Sequence, residues 1–538
     1  MDKLYNRHML HSTWCSNRGR MRRKSLRQNT FILTIAGFIV KILGFFYRIF
    51  IANSIGAEGM GLYQLVLPVY NLILLGLTAG LGIAISRLVA EETARGNYRN
   101  AKRITVLSGV SIFVAGTVIV AVMLLNLDFV VNILVGDVRT KSALYYLLPA
   151  IPIIAAFTAL KGYFYGKQEV VPNALSQVAE QVVKLVAVYL IADIFVNGNM
   201  EQKCLFATIG LIVGEMANVL TVFIAYIIRK KDRAVQNQKI MRKRDIARAL
   251  IRISLPITTN RLVISLLGTV EFLWIPQRLA VYGLNTAEAL TQYGKLTGMA
   301  SPVISFPSML TAALATALVP AIAEAVATRR MNRANRQISR SIRVTLVLGF
   351  LFSSLFICFA HEISDLIYPG QNVGNMLYLL SFTGVFFYLQ QTLLGILNGL
   401  GKETATLKHS MISSLIRLGF VWFGIPHFGL NAYIIALIVS NLVGAILNMK
   451  TTIKTTGMSL DFGDWIIKPL VASISGIIAA PIVKMAIGSV FTSPLMTLNI
   501  SAGISGGLMI AMMILMGVFE IKDIRHMVPF NIDKYRKL

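Results

Sequence analysis

Long unbroken apolar runs alternate with short polar stretches along almost the whole chain. The runs 104–127, 376–401 and 497–519 contain no charged residue, and each exceeds the roughly 20 residues that cross a bilayer. Their apolar positions are continuous rather than alternating, so they read as helices and not as strands of a barrel. The pattern predicts about fourteen membrane helices, approximately over 30–53, 62–86, 104–127, 143–165, 174–196, 204–228, 253–278, 296–327, 344–360, 375–399, 407–425, 430–449, 466–487 and 497–519. Turn chemistry separates them, as at Gly56-Ala57-Glu58-Gly59, Asn197-Gly198-Asn199, Pro369-Gly370-Gln371-Asn372 and Gly424-Ile425-Pro426.

The pattern also repeats within the chain. A shift of 230 matches Arg48, Ala57, Glu58 and Tyr63 with Arg278, Ala287, Glu288 and Tyr293. A shift of 233 matches Ala90-Glu91 with Ala323-Glu324, Leu144-Tyr145 with Leu377-Tyr378, Gly162 with Gly395, Gly166 with Gly399, and Leu185 with Leu418. The shift covers six helices, an even number, so both copies enter the membrane from the same side. Such parallel repeats are related by an axis along the membrane normal, with the substrate path between them. The expected fold is therefore all-α and polytopic, with two parallel six-helix lobes in a pseudo-two-fold arrangement plus two C-terminal helices. Its parts are a basic tail (1–29), an N-lobe (30–228), a basic linker (229–252), a C-lobe (253–455), and the last two helices with a basic end (456–538).

Composition sharpens this picture. The chain is 55% hydrophobic and 14% charged, which makes lipid its solvent. Its net charge of +28 first suggests nucleic acid, but the distribution excludes that partner. Positive charge is bunched at Arg18–Arg27, Arg87–Arg103, Arg229–Arg252, Arg329–Arg343 and Lys522–Lys537, whereas the loops around Glu362–Gln371, Pro426–Asn431 and Gly488–Pro494 have no Lys or Arg. This alternation is the positive-inside signature, and it places both termini in the cytoplasm of a multi-pass protein in the cell membrane, with anionic lipids as partners of the basic loops. Cys15, Cys204 and Cys358 form no disulfide or metal framework. No Walker loop, metal cluster or nucleophile elbow is present, so no catalytic residue and no cofactor is expected.

Charges inside the apolar runs call for an explanation, since a Lys or Arg at a helix centre costs roughly 2.5–3.5 kcal/mol. Lys41 sits mid-span and Arg48 follows on the same face. The seventh span carries Arg261 and Glu271, and the shift of 230 sets Glu271 against Lys41. Glu271 reads as a counter-ion, a protonatable coupling site, or a partner of Arg278. Glu180 and Lys184 have the spacing of an internal ion pair, whereas Arg417, the match of Lys184, has no carboxylate four residues before it. Lys41, Arg48, Arg261, Glu271, Lys184 and Arg417 are the candidate substrate-binding residues. Pro302, Pro307 and Pro320, with Ser301, Ser305 and Ser308, predict a bent eighth helix.

The segments Gly44-Phe45-Phe46-Tyr47-Arg48-Ile49-Phe50 and Ile55-Gly56-Ala57-Glu58-Gly59-Met60-Gly61-Leu62-Tyr63-Gln64-Leu65 resemble the opening of the stage V sporulation protein B group. These are polysaccharide-biosynthesis transporters of the multidrug/oligosaccharidyl-lipid/polysaccharide flippase superfamily. The Ile304-Ser305-Phe306-Pro307-Ser308 segment is similar to a helix of the lipid II flippases. The resemblance implies movement of undecaprenyl-diphosphate-linked saccharides between leaflets, with a cationic cavity for the diphosphate. Lys41-Ile42-Leu43-Gly44 falls where those flippases place a cavity arginine; their next arginine aligns with Tyr47, one residue from Arg48, and their eighth-span basic residue has only Lys295 nearby. A cation-coupled multidrug exporter of the same fold is the alternative, and the sign of the buried charge favours the flippase. The membrane potential or a coupling ion would reset the cycle. Met21, directly before Arg22-Arg23-Lys24, is a candidate start of the natural chain, and N-terminal sequencing of the mature protein is expected to read from it.

Overall fold

The computed structural model describes residues 2–195, 197–228, 240–491 and 493–518, and all the regular structure among them is helical. The basic segments 229–239 and 519–538 lie outside the described residues, as do the side chains of residues 1–28. Ten of the described helices are long and apolar enough to cross a membrane, or up to twelve if each of two bent pairs is one span. The all-α membrane class is as expected; helices counted by length and apolarity do not map one to one onto the expected fourteen spans. One cause is α1 (Ile32–Ala94), which counts once although its 63 residues extend about 95 Å at 1.5 Å per residue, three times a hydrocarbon core. It breaks at Gly56, where φ is 72°. Another lies at residues 286–305, divided into Thr286–Gly294, a π-helical turn Lys295–Ala300, and Ser301–Ser305.

Packing of the backbone divides the chain into two compact units, Met1–Ile55 with Leu62–Leu273, and Gly56–Gly61 with Trp274–Leu538. In the first unit α2 (Tyr98–Leu125) is followed by the bent pair α3 (Val138–Leu147) and α4 (Ala150–Gly166), then α5 (Val171–Phe195), α6 (Met200–Ile228) and most of α7 (Lys243–Val281). Here α2 packs on α4, and α5 on α6. The second unit holds α8 (Ser308–Ala327), α9 (Met331–Ile367), the bent pair α10 (Gly374–Ser381) and α11 (Gly384–Gly399), α12 (Glu403–Phe428), α13 (Leu430–Thr456), α14 (Gly463–Gly488) and α15 (Pro494–Leu515). In it α8 packs on α11, α12 on α13, and α9 on both α14 and α15.

The internal repeat is visible in the detail of each unit. The bends of 44° between α3 and α4 and 53° between α10 and α11 fall at matching positions. So do the helix ends. After α1 the N–H groups of Gly96 and Asn97 reach back to Thr93 and Glu92 carbonyls; after α8 those of Arg329 and Arg330 reach Val326 and Ala325, 233 residues on. These are paired Schellman caps, with a left-handed residue at Gly96 (φ 79°) and at Arg329 (φ 54°). The same motif closes α4 at Gln168 and α11 at Gly401. Helix contacts repeat too: a Cβ on Gly162 would stand 3.1 Å from the Gly82 carbonyl, and one on Gly395 2.9 Å from that of Ala315. Helices in lipid lack a hydrophobic drive to associate, so such close backbone contact supplies much of their attraction.

Beside Pro307 the helix is interrupted, ending at Ser305 and resuming at Ser308. The hydroxyls of Ser305, Ser308 and Thr311 donate to the carbonyls of Pro302, Ser305 and Ser308. These side chains are therefore committed to their own kinked backbone.

The two matching caps differ in strain, because a left-handed residue with a Cβ costs roughly 1–2 kcal/mol that glycine avoids. Gly96→Val should lower stability by about 1–2 kcal/mol and Arg329→Gly should raise it by up to about 1 kcal/mol. Thermal denaturation of the purified protein in detergent checks this; shifts of one sign for both variants would contradict it.

Candidate transport site

Helix α5 carries Glu180 and Lys184 one turn apart, yet the expected ion pair does not form. The Lys184 ammonium lies over the Tyr47 ring, 4.3 Å from its centroid. Glu180 instead accepts from Asn218 Nδ2 at 2.8 Å and from Gln181 Nε2 at 3.0 Å. The competing partners come from neighbouring helices, with Tyr47 on α1 and Asn218 on α6. Lys184 is only 8% exposed, so a ring face that attracts a desolvated cation is a substantial partner.

Two small residues of α6 make this arrangement possible. A Cβ on Gly210 would stand 3.0 Å from the Tyr47 hydroxyl, and one on Gly214 2.9 Å from Lys184 Cβ. The Tyr47 hydroxyl donates to the Ala207 carbonyl at 3.3 Å, which fixes the ring under the ammonium. One turn along α6, half-buried Glu215 accepts from the buried Tyr70 hydroxyl at 3.1 Å. Glu215, Lys184 and Lys161 lie within electrostatic range of Glu180, and Glu180, Glu215 and Arg48 within range of Lys184. Three cations and two carboxylates thus meet in a medium that screens charge poorly. Among the described residues no group of three His, Cys, Asp or Glu side chains is placed to hold a metal ion.

The other predicted residues are placed differently. Lys41 and Arg261 are exposed, and neither makes a hydrogen bond or ion pair to a described residue. One turn beyond Lys41, Gly44 faces the Gln181 side chain, where a Cβ would stand 3.4 Å from Oε1. Arg48 is half-buried. Glu271 is 2% exposed and held by interactions within the protein. The Arg278 guanidinium lies 3.2 Å from the Trp422 ring centroid. In the second unit Arg417 donates to Ser414 Oγ at 3.1 Å. The structure thus gathers Lys184 and Arg48 with Glu180, and leaves Lys41 and Arg261 without a partner among the described residues. Tyr47, Tyr70, Glu215 and Asn218 were not singled out by their spacing, since their partners are 145 residues away for Tyr70 and 38 for Asn218.

The family described as Polysaccharide biosynthesis protein matches residues 26–326, and the family MatE matches residues 296–423. Stage V sporulation protein B of Bacillus subtilis (strain 168) is 30% identical over 466 residues, 86% of this chain and 90% of that protein. Lipid II flippase MurJ of the same organism is 28% identical over 218 residues, 38% of this chain and 40% of that one. Among solved structures, the inward-facing conformation of a multidrug resistance MATE family transporter of the MOP superfamily superposes with a TM-score of 0.63. That likeness covers 80% of this chain and 100% of the other at 17% identity, and it is one of fold. The resemblance drawn from the first-span motif is borne out.

Removing the ammonium of Lys184 would leave two half-buried carboxylates beside Arg48 and Lys161. Lys184→Met should destabilise the protein by about 3 kcal/mol, and adding Glu180→Gln should restore most of the loss. Chemical or thermal unfolding of the three variants tests this, and additive losses would show that the two groups are not coupled.

Proposed function

The chain belongs to the polysaccharide biosynthesis protein family, and on that premise we propose that it moves an undecaprenyl-diphosphate-linked saccharide from the inner to the outer leaflet of the cytoplasmic membrane. The cargo would be a peptidoglycan precursor or a polysaccharide unit. Lys41 and Arg261 carry this reading. Both are exposed, lie inside apolar helices and lack a partner among the described residues, a placement worth roughly 2.5–3.5 kcal/mol of penalty each unless water or an anion meets them. A diphosphate supplies that anion, and the guanidinium of Arg261 suits its geometry better than a second lysine would. The apolar carrier chain would remain in lipid while the headgroup crosses.

Arg48 and Lys184 extend the positive field on the first unit, with Arg417 and Glu271 as further members of the cargo path. The protein would alternate between states open to either side, with both termini in the cytoplasm. The membrane potential or a coupling ion would drive its return. Stage V sporulation protein B and Lipid II flippase MurJ, by their names, support an envelope-building role.

A cation-coupled multidrug exporter is the second reading. It is favoured by the finding that Glu180 is not ion-paired with Lys184 and that Glu215 lies near it. Against it, both carboxylates already accept hydrogen bonds from Asn218, Gln181 and Tyr70.

Charge reversal at Lys41 separates the two. Lys41→Glu should reduce transport of the lipid-linked saccharide in reconstituted vesicles by at least roughly tenfold, with thermal stability retained. Unchanged transport in a folded Lys41→Glu variant would remove the cationic-site argument. Depletion in cells should cause a lipid-linked intermediate to build up on the inner leaflet, and mass spectrometry of extracted lipids identifies the cargo.

A further inference from the structure

The second unit contains a cleft of about 590 Å³. Its walls come from α9, α11 and α13, and the segment 457–462 leading into α14 turns across it. Apart from Lys450 and Lys454, every lining residue is apolar. The two lysines lie one turn apart on α13 and are exposed.

The charges around this end of the cleft are unevenly satisfied. Asp464 binds both Arg343, at 3.2 Å, and Lys468, at 2.5 Å, and Asp461 also approaches Arg343. These acids are therefore occupied. Lys450 and Lys454 have no ion pair or hydrogen bond to a described residue, so the rim keeps two uncompensated positive charges directly above an apolar space. Trp465 lines the same cleft and is 2% exposed, and its indole N–H has no acceptor among the described residues. A buried donor of this kind ordinarily finds a partner.

We propose that the cleft is a lipid site that takes one acyl chain of an anionic phospholipid, with the phosphate on Lys450 and Lys454. The charge of the rim selects an anionic headgroup, and the shape and lining suit a hydrocarbon tail. The bound lipid fills the space between the α9–α11–α13 bundle and the start of α14, and ties that helix to the rest of the unit.

Trp465 reports on the site. The full chain carrying Trp14→Phe, Trp274→Phe and Trp422→Phe keeps it as the sole tryptophan. In nanodiscs, phosphatidylglycerol with dibrominated chains should quench its fluorescence at a roughly five- to tenfold lower mole fraction than dibrominated phosphatidylcholine. Lys450→Gln with Lys454→Gln should abolish that preference, and Ala445→Phe, which fills the cleft, should reduce quenching by both lipids. Native mass spectrometry of the unsubstituted protein supplies a readout independent of the variants' folding, and should show one retained phosphatidylglycerol in excess of phosphatidylcholine. Equal quenching by the two phospholipids overturns the proposal, as does a preference that survives loss of both lysines. Quenching confined to a brominated polyprenyl phosphate also overturns it, by assigning the cleft to the carrier chain.

Discussion

A cation held away from water inside a helix bundle constrains everything packed around it, and Lys184 is that cation here. Its ammonium rests on the Tyr47 ring rather than on the carboxylate one turn away. The contact requires α6 to be bare at two successive turns, which Gly210 and Gly214 satisfy. It requires the Tyr47 ring to be fixed, which the Ala207 carbonyl does. It also frees Glu180 for Asn218 and leaves Glu215 to Tyr70. Helix packing and charge placement are thus one problem on this unit: the glycines that allow close approach are those that admit the buried lysine.

Much of the fold was legible from the sequence because lipid imposes simple rules. Continuous apolar runs and the alternation of basic loops identified an all-α membrane protein, and a near-constant shift revealed its repeat. The identities at Gly162 with Gly395 and Gly166 with Gly399 were the most telling. They prove to be sites of backbone approach, where any side chain collides with the facing helix. Span number was less legible, because helix length and membrane thickness do not correspond one to one. Gly56 breaks a single long helical stretch, and bends at residues 148–149 and 382–383 divide two others.

The candidate site was only half legible. Lys41, Arg48, Lys184, Arg261 and Glu271 stood out because a charge in an apolar run is conspicuous in one dimension. Their partners were not conspicuous. Spacing of four residues suggested that Lys184 would meet Glu180, since local geometry is all that a linear pattern contains. The ring of Tyr47 comes from another helix, and aromatic and amide side chains are too common in membrane helices for their positions to signal a contact. Glu215 was visible as a charge but acquires meaning only beside Tyr70 and Glu180.

The repeat also shows where the two halves have parted chemically. Gly214 of α6, beside Glu180 and Lys184, corresponds to Gly444 of α13, whose absent Cβ faces Ser413 and Gln390. Ser413 occupies the position of Glu180, and Arg417 that of Lys184. The glycine and the helix approach are therefore kept in both units, while the carboxylate is kept only in the first. In the second unit the hydroxyl of Ser413 donates to the Ser440 carbonyl, and Arg417 donates to Ser414. Serine binds no proton or cation in the way a carboxylate does, so at this position only the first unit carries a group of that kind. The duplicated helix contact is thus the same in both units, while the charge set beside it differs.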